Sequence, residues 1–281
     1  MNGSRTESFW SDPRGRIGSV LLSIILLFLV IGPFLSGYQY DEMHLDSKNL
    51  APSLRFWFGT DDLGRDIFTR VWYGARISVF IGVVAALIDL GIGLLWGGIA
   101  ALRGGIVDEI MMRSADILYA LPYLLIIILF TIVFGTGLSS IIFAITLTGW
   151  ITMARIVRGQ ILLLKEMDFV LASRTMGASF WHILFKHLLP NSRGVIFVTL
   201  TLTIPSAIFA EAFLSFLGLG VQAPLASWGT MVNDGLLSLE LYPWRLFFPA
   251  FFMSLTMLSF HLIGEALKSS YESFQLNNEF L

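Results

Sequence analysis

The sequence contains no cysteine. Structural disulfides, thiolate metal sites and cysteine nucleophiles are therefore excluded within the chain. Charge is scarce as well. Asp, Glu, Lys and Arg make up 14% of the residues, against roughly 25% in a typical soluble domain. The formal net charge is -2 and the pI about 6.1, so the basic signature of a nucleic-acid binder is missing. The dipeptide Gly-Lys never occurs, which removes the G-x-x-x-x-G-K-[ST] phosphate loop and ATP binding by that device. Neither H-E-x-x-H nor G-x-S-x-G is present. The four histidines, His44, His182, His187 and His261, lack metal-ligand spacing, and His182 and His187 at i,i+5 are not expected to share a helical face. No catalytic, cofactor or metal site is expected, and an embedded hydrolase finds no constellation to support it.

What the chain has in abundance is apolar surface: 56% hydrophobic residues and a mean hydropathy of +0.76. The apolar residues fall in runs long enough to cross a ~30 Å hydrocarbon layer as helices. Only helices or closed barrels pair every backbone polar group inside a bilayer, and these runs are too long and continuous for the alternating strands of a barrel. An all-α membrane protein with about six transmembrane helices is predicted, over residues 17–35, 77–102, 118–134, 139–156, 195–219 and 246–267. The first run follows Arg5, Arg14 and Arg16 but has no A-x-A-like cleavage site after it, so it reads as a retained helix.

Orientation follows from the cations. With the N-terminus inside, 12 of the 18 Lys and Arg lie at inner positions, in segments 1–16, 103–117, 157–194 and 268–281 and at Arg155. The positive-inside rule then places both termini in the cytoplasm. Three extramembrane segments stand out: an outer loop 36–76, a cytoplasmic loop 157–194 and an outer loop 220–245. In the first, Thr60 or Asp61 is expected to cap a short helix that turns Leu63, Ile67, Phe68 and Val71 to one face.

Ionisable residues inside spans are costly and are candidates for function by default. Asp89 either lines a polar path or pairs with another helix. Glu211, toward the outer end of the fifth span, is a candidate gating or structural polar contact. Glu265 is expected to reach the interface. Small residues crowd the second span, where Gly93-x-x-x-Gly97 fits close helix approach; packing within the chain is its favoured role.

The cytoplasmic loop reads Asp168-Phe-Val-Leu-Ala-Ser-Arg-Thr-Met-Gly-Ala-Ser-Phe-Trp-His-Ile-Leu-Phe-Lys-His-Leu-Leu-Pro190-Asn191. Residues 171–176 suit a helix that Gly177 ends or bends, and 180–188 suit a second before Pro190. Ala172, Ser173, Gly177 and Ala178 offer little bulk, so a partner's groove could come close; Phe169, Phe180 and Trp181 would anchor it. An amphipathic hairpin on the membrane surface fits the same periodicity.

The loop resembles the EAA motif of ABC-importer permeases, E-A-A-x3-G-x9-I-x-L-P. Ala172, Gly177, Leu189 and Pro190 match in register, while Leu171 replaces the Glu, Ser173 the second Ala and His187 the Ile. Phe58-Gly-Thr-Asp-Asp-Leu-Gly-Arg-Asp, Ala154-Arg-Ile-Val-Arg-Gly-Gln160, Glu211-Ala-Phe-Leu-Ser-Phe-Leu-Gly-Leu-Gly220 and Ser227-Trp-Gly-Thr-Met resemble the dipeptide/oligopeptide/nickel permease family, in its second permease type. That resemblance implies a type I ABC importer permease fold over residues 17–281, in a bacterial cytoplasmic (inner) membrane. It implies a second, homologous permease subunit, two cytoplasmic ATPases that hold ATP and Mg, and an external solute-binding protein delivering peptide. Coupling to the ATPases would fall to Phe169, Leu171, Ala172, Ser173, Arg174, Gly177, Ala178, Phe180, Trp181, Leu189 and Pro190. A self-sufficient secondary transporter would instead show inverted repeats and broken helices around a midplane site, and neither is evident. Nickel or metal-chelate import is the alternative within the family.

Overall fold

The fold is that of a computed structural model, which describes residues 9–135 and 137–279. It is almost entirely helical. Among the described residues the only β-structure is an isolated antiparallel bridge, Thr60 with Asp66. Among the described residues five helices are long and apolar enough to cross a membrane, and a bent pair passes the same test when its two helices are taken together.

Helix α1 (Pro13–Leu35) begins before the apolar run because Asp12 caps it, accepting from the Arg14 backbone N–H at 2.8 Å, with Pro13 in the first turn. Residues 1–8 of the expected cytoplasmic N-terminal segment lie outside the described residues. Pro33 inside α1 has no N–H for the Leu29 carbonyl. The Arg76 guanidinium takes over, donating to the Leu29 oxygen and the Val30 oxygen, both at 2.7 Å. A cation next to a span is thus explained by a proline in its neighbour.

Helix α2 (Ile67–Arg103) corrects the predicted second span, which began ten residues too late. Its cap is Asp66, accepting from the Thr69 N–H at 2.9 Å, rather than Thr60 or Asp61. Asp61 instead closes a turn, accepting the N–H groups of Leu63 and Arg65, both at 2.9 Å. The predicted third span is also redrawn. Helix α3 (Gly105–Ala120) occupies most of what was expected as an inner loop. After Pro122 the chain continues as α4 (Tyr123–Phe134), bent from it by 86°. Proline disfavours helix at the residue before it, here Leu121, whose backbone is extended.

Helix α5 (Leu138–Leu164) runs past the predicted end into the cytoplasmic loop. There follow α6 (Asp168–Thr175), one turn α7 (Phe180–His182), a π-helical stretch Ile183–Leu188, and one turn α8 (Leu189–Asn191). Helix α9 (Arg193–Phe216), the short α10 (Trp228–Leu236) and α11 (Trp244–Glu279) complete the chain.

Helix α2 is the spine, packing on α1, α5 and α9. Its tightest approach is to α5. A Cβ on Gly93 would lie 2.6 Å from the Met153 Cβ, and one on Gly97 would overlap the Ala154 carbonyl oxygen. The small-residue motif therefore packs within the chain, as expected. Helix α11 closes the other side against α1, α9 and α10.

Candidate functional site

Three places in the bundle hold the candidate residues. The first is the 168–191 hairpin. Helix α6 ends in a Schellman turn at Gly177, whose φ is +83°. The Gly177 N–H reaches the Arg174 oxygen at 2.9 Å and the Ala178 N–H the Ser173 oxygen at 3.1 Å. Beyond it, Pro190 takes an N–H out of the helical ladder, and the ladder ahead of it widens: the Leu189 N–H bonds the Leu184 oxygen, five residues back. This π register overturns the expectation for His182 and His187. Five residues apart, their rings lie 5.5 Å from one another.

The hairpin has two faces. Val170, Ile183, Leu184 and Leu188 are buried against Ala101, Val157, Ile161 and Ile196 at the ends of α2, α5 and α9. Phe169, Leu171, Ala172, Arg174, Gly177, Trp181 and Pro190 lie on the open face. Met176 and Phe185, which sequence reasoning passed over, add apolar area there. Four of the residues expected to couple lie off that open face. Ser173 is buried, Ala178 packs on the inner cluster, and Phe180 lies under the Arg103 guanidinium, 4.9 Å from its ring centroid. Leu189 is half-buried in the same cluster.

The second place is around Glu211, which is fully buried. Its carboxylate accepts from the Ser215 hydroxyl at 2.7 Å and the Ser78 hydroxyl at 3.1 Å, and from Ser227. Ser78 in turn accepts the backbone N–H of Trp228 at 3.1 Å. Trp228 is itself buried, with its indole N–H on the Val71 oxygen at 3.0 Å. Ser227 and Thr230 cap α10 reciprocally. Glu211 therefore fastens α2, α9 and the start of α10 together. Of the roles expected for it, the geometry carries the structural one. The S-x-x-T spacing at Ser227 was a readable signal for that helix start; the link to Ser78, 133 residues from Glu211, was not.

The third place is a cavity of about 620 Å³ walled by α2, α4, α5 and α9. Asp89 is among its lining residues, 2% exposed, and its Oδ1 is buried without a hydrogen-bond partner among the described residues. A Cβ on Gly149 of α5 would overlap the Asp89 carboxylate, so only glycine lets α5 pass there. Asp89 thus lines a cavity rather than pairing with another helix.

The segment expected as the outer loop, 36–76, folds onto α10 and α11. Asp61 bonds Arg65 at 2.6 Å and lies 3.5 Å from Arg70, while Arg245 reaches Asp62 at 3.0 Å and Asn49 at 3.1 Å. Phe58 stacks on Phe248 with centroids 3.9 Å apart. The Phe58–Asp66 stretch is therefore a clasp within the chain. Glu265 meets Arg14 at 3.2 Å with both side chains about half exposed, in keeping with its expected place at an interface.

Residues 93–272 match the family model described as binding-protein-dependent transport system inner membrane component, and residues 7–52 match the N-terminal TM domain of oligopeptide transport permease C. The oligopeptide transport system permease protein OppC of Bacillus subtilis (strain 168) is 56% identical over 94% of this chain and 87% of its own length. The dipeptide transport system permease protein DppC of the same strain is 56% identical over 96% and 86%. OppC of Escherichia coli (strain K12) is 41% identical over 95% and 91%. Among solved structures, a chain of the inward-facing MetNI methionine ABC transporter superposes with a TM-score of 0.54 at 19% identity, covering 69% of this chain and 91% of that one. That likeness speaks for the fold alone, the type I ABC permease fold. With a family model spanning most of the chain and relatives of this identity along its length, the chain belongs to the binding-protein-dependent transport permeases, in the oligopeptide and dipeptide branch of the ABC importers.

Proposed function

We propose that this chain is one of two permease subunits of an ATP-driven importer of oligopeptides or dipeptides. It spans the bacterial cytoplasmic membrane with both termini in the cytoplasm. ATP and Mg bind to two partner ATPases, and an external solute-binding protein delivers the peptide. The observation that carries this reading is the two-faced hairpin 168–191. A docking element needs an open face for the partner and a rigid seat on the bundle, and this one has both.

The mechanism follows from the seat. ATP binding draws the ATPases together, and each carries its hairpin with it. Because Val170, Ile183, Leu184 and Leu188 are packed on the ends of α2, α5 and α9, the hairpin cannot slide without moving those helices. Helices α5 and α9 wall the cavity above Asp89. Displacement of the hairpin therefore changes the cavity wall, as a rigid-body switch between two packings. The chain performs no chemistry of its own.

Reconstitution into liposomes tests the reading. The chain alone should neither hydrolyse ATP nor accumulate labelled peptide. Adding the second permease, the ATPases and the binding protein should produce ATP-dependent uptake. Gradient-driven uptake by the chain alone would replace this reading with a secondary transporter.

A further inference from the structure

The cavity over Asp89 has a chemical bias that the import reading does not by itself supply. Asp89 lies 14 residues before the end of α2 at Arg103, about 21 Å along the axis at 1.5 Å per residue. In a hydrocarbon layer of ~30 Å that is well inside the membrane. Among the described residues lining the cavity there is no Lys, Arg or His. Hydroxyls do line it, and three of them have their protons already used. Thr199 donates to the Val195 oxygen at 2.8 Å, Thr203 to the Thr199 oxygen at 2.9 Å and Ser206 to the Leu202 oxygen at 3.0 Å. Each hydroxyl oxygen keeps its lone pairs and so can only accept from a ligand. Tyr123 and Thr152 are the other hydroxyls. The remaining wall is apolar, including Ile145, Phe209 and Phe213.

The cavity therefore presents one unpartnered carboxylate, a row of acceptors and apolar walls. A carboxylate left alone at this depth is expensive. The group that relieves it is a cation with several N–H donors. A carboxylate or phosphate ligand would meet the like charge of Asp89, with donors only from the Tyr123 and Thr152 hydroxyls. A primary ammonium matches Asp89 in charge and the serine and threonine oxygens in hydrogen bonding, and the apolar walls accept side chains without reading them.

We propose that Asp89 is a transient binding site, within the translocation path, for the primary ammonium group of the transported peptide. The proposal rests on the import reading above and deepens it. Asp89 offers a low-energy station to the peptide's amino end as it leaves the binding protein, and it disfavours anionic solutes. Gly149 contributes by leaving room for the carboxylate beside the α5 backbone.

The test uses the whole complex in lipid. A carbodiimide of the membrane-soluble kind modifies buried carboxyl groups, and its reaction at Asp89 is followed by mass spectrometry. Excess tri-alanine with a free amino end should slow that reaction several-fold, whereas N-acetyl-tri-alanine should leave it unchanged. Equal slowing by both peptides, slowing by neither, or failure of the reagent to reach Asp89 in the empty complex would each overturn the proposal. A second measurement separates positioning from folding. In the Asp89→Asn complex, uptake turnover should fall about tenfold, the worth of one charged hydrogen bond, with the peptide concentration for half-maximal uptake and ATPase docking unchanged. Asp89→Glu should recover part of the turnover. Wild-type turnover by Asp89→Asn would sink the site. The import reading stands or falls separately: if the wild-type liposomes show no ATP-driven uptake, that reading fails, whereas normal uptake with an unprotected Asp89 removes only the ammonium site.

Discussion

The two ends of the bundle satisfy their polar and apolar groups in opposite ways. At the clasp end, the charged residues of 58–70 find their partners inside the chain: Asp61 with Arg65 and Arg70, Asp62 with Arg245. Aromatic rings from Phe58 and Phe248 seal the contact. At the hairpin end, Leu171, Met176, Trp181 and Phe185 are apolar side chains left about half exposed or more. One end makes its charged contacts within the chain, and the other leaves apolar side chains exposed. Exposed apolar area of this kind is the usual mark of an interaction surface.

The contrast predicts different consequences for substitutions at the two ends, and the largest belongs to the clasp. Asp61→Ala leaves the largely buried guanidinium groups of Arg65 and Arg70 without their shared carboxylate and removes the turn's acceptor for the Leu63 and Arg65 N–H groups. Stranding a buried charge this way costs about 3–5 kcal/mol. The purified chain should melt at a distinctly lower temperature in detergent, and the 36–66 segment should become open to protease. An unchanged melting temperature would mean that the clasp is ornamental.

At the hairpin the expected loss is in assembly and not in stability. Trp181 is 52% exposed, so Trp181→Ala should leave the melting temperature nearly unchanged. Co-purification with the ATPases should weaken by about tenfold or more, as for an interface anchor. Gly177 sharpens the point. Nothing lies within 4 Å of a Cβ placed there, but the φ of +83° strains any other residue. Gly177→Ala and Gly177→Trp share that strain, about 1–2 kcal/mol. Only the tryptophan would hold a partner surface away. Docking should therefore survive the alanine and fail with the tryptophan; equal behaviour would place the contact elsewhere on the hairpin.

The next effect is smaller. Leu171 stands where the family motif has Glu, beside a hollow lined by Arg103, Lys165, Glu166 and Arg174. Leu171→Glu places a carboxylate next to that basic group at an exposed position. Stability should shift by no more than about 0.5 kcal/mol. ATPase docking should become more sensitive to salt, because a screened charge contact has replaced an apolar one. Salt titration of complex assembly reads this directly, and an unaltered salt dependence would show that the motif glutamate position does not meet the partner.

Much of this contrast is invisible in the sequence. The spans α1, α5, α9 and α11 were legible because their apolar runs are long and unbroken. Helix α3 was not: Asp108, Glu109, Arg113 and Asp116 gave it the polarity of a loop, whereas Asp108 is paired with Arg158 of α5 at 2.6 Å and Asp116 with Arg155 at 2.7 Å. The first turns of α2 were hidden for the same reason, since Arg70 and Arg76 read as loop charges until their partners in Asp61 and α1 are seen. The hairpin's two helical segments on either side of Gly177 were legible in its residues. Which of its residues face out was not, because the π turn ahead of Pro190 shifts the register that a 3.6-residue period assumes. Asp89 and Glu211 were both found as buried acids in spans. Only three dimensions separate them, one bonded by three serines and one open to a cavity.

The smallest effect tests how completely the clasp end is finished, through Asp66. Its Oδ2 accepts from the Thr69 N–H and hydroxyl, but its Oδ1 is buried without a hydrogen-bond partner among the described residues. Burial outweighs the Thr69 bonds and raises its carboxyl above the ordinary 3.8. The sign of the pH dependence follows. In the window opening upward from 3.8, the folded chain holds this proton more tightly than the unfolded chain, so stability is greater at the acid side and declines as pH rises through the raised value. Asparagine caps a helix as well as aspartate does and cannot titrate. Asp66→Asn should therefore keep α2 intact and flatten that part of the melting-temperature profile, with little change below it. If the profile keeps its slope in the Asn variant, another carboxylate of the clasp carries it, and the unpartnered Oδ1 is not the weak point of that end.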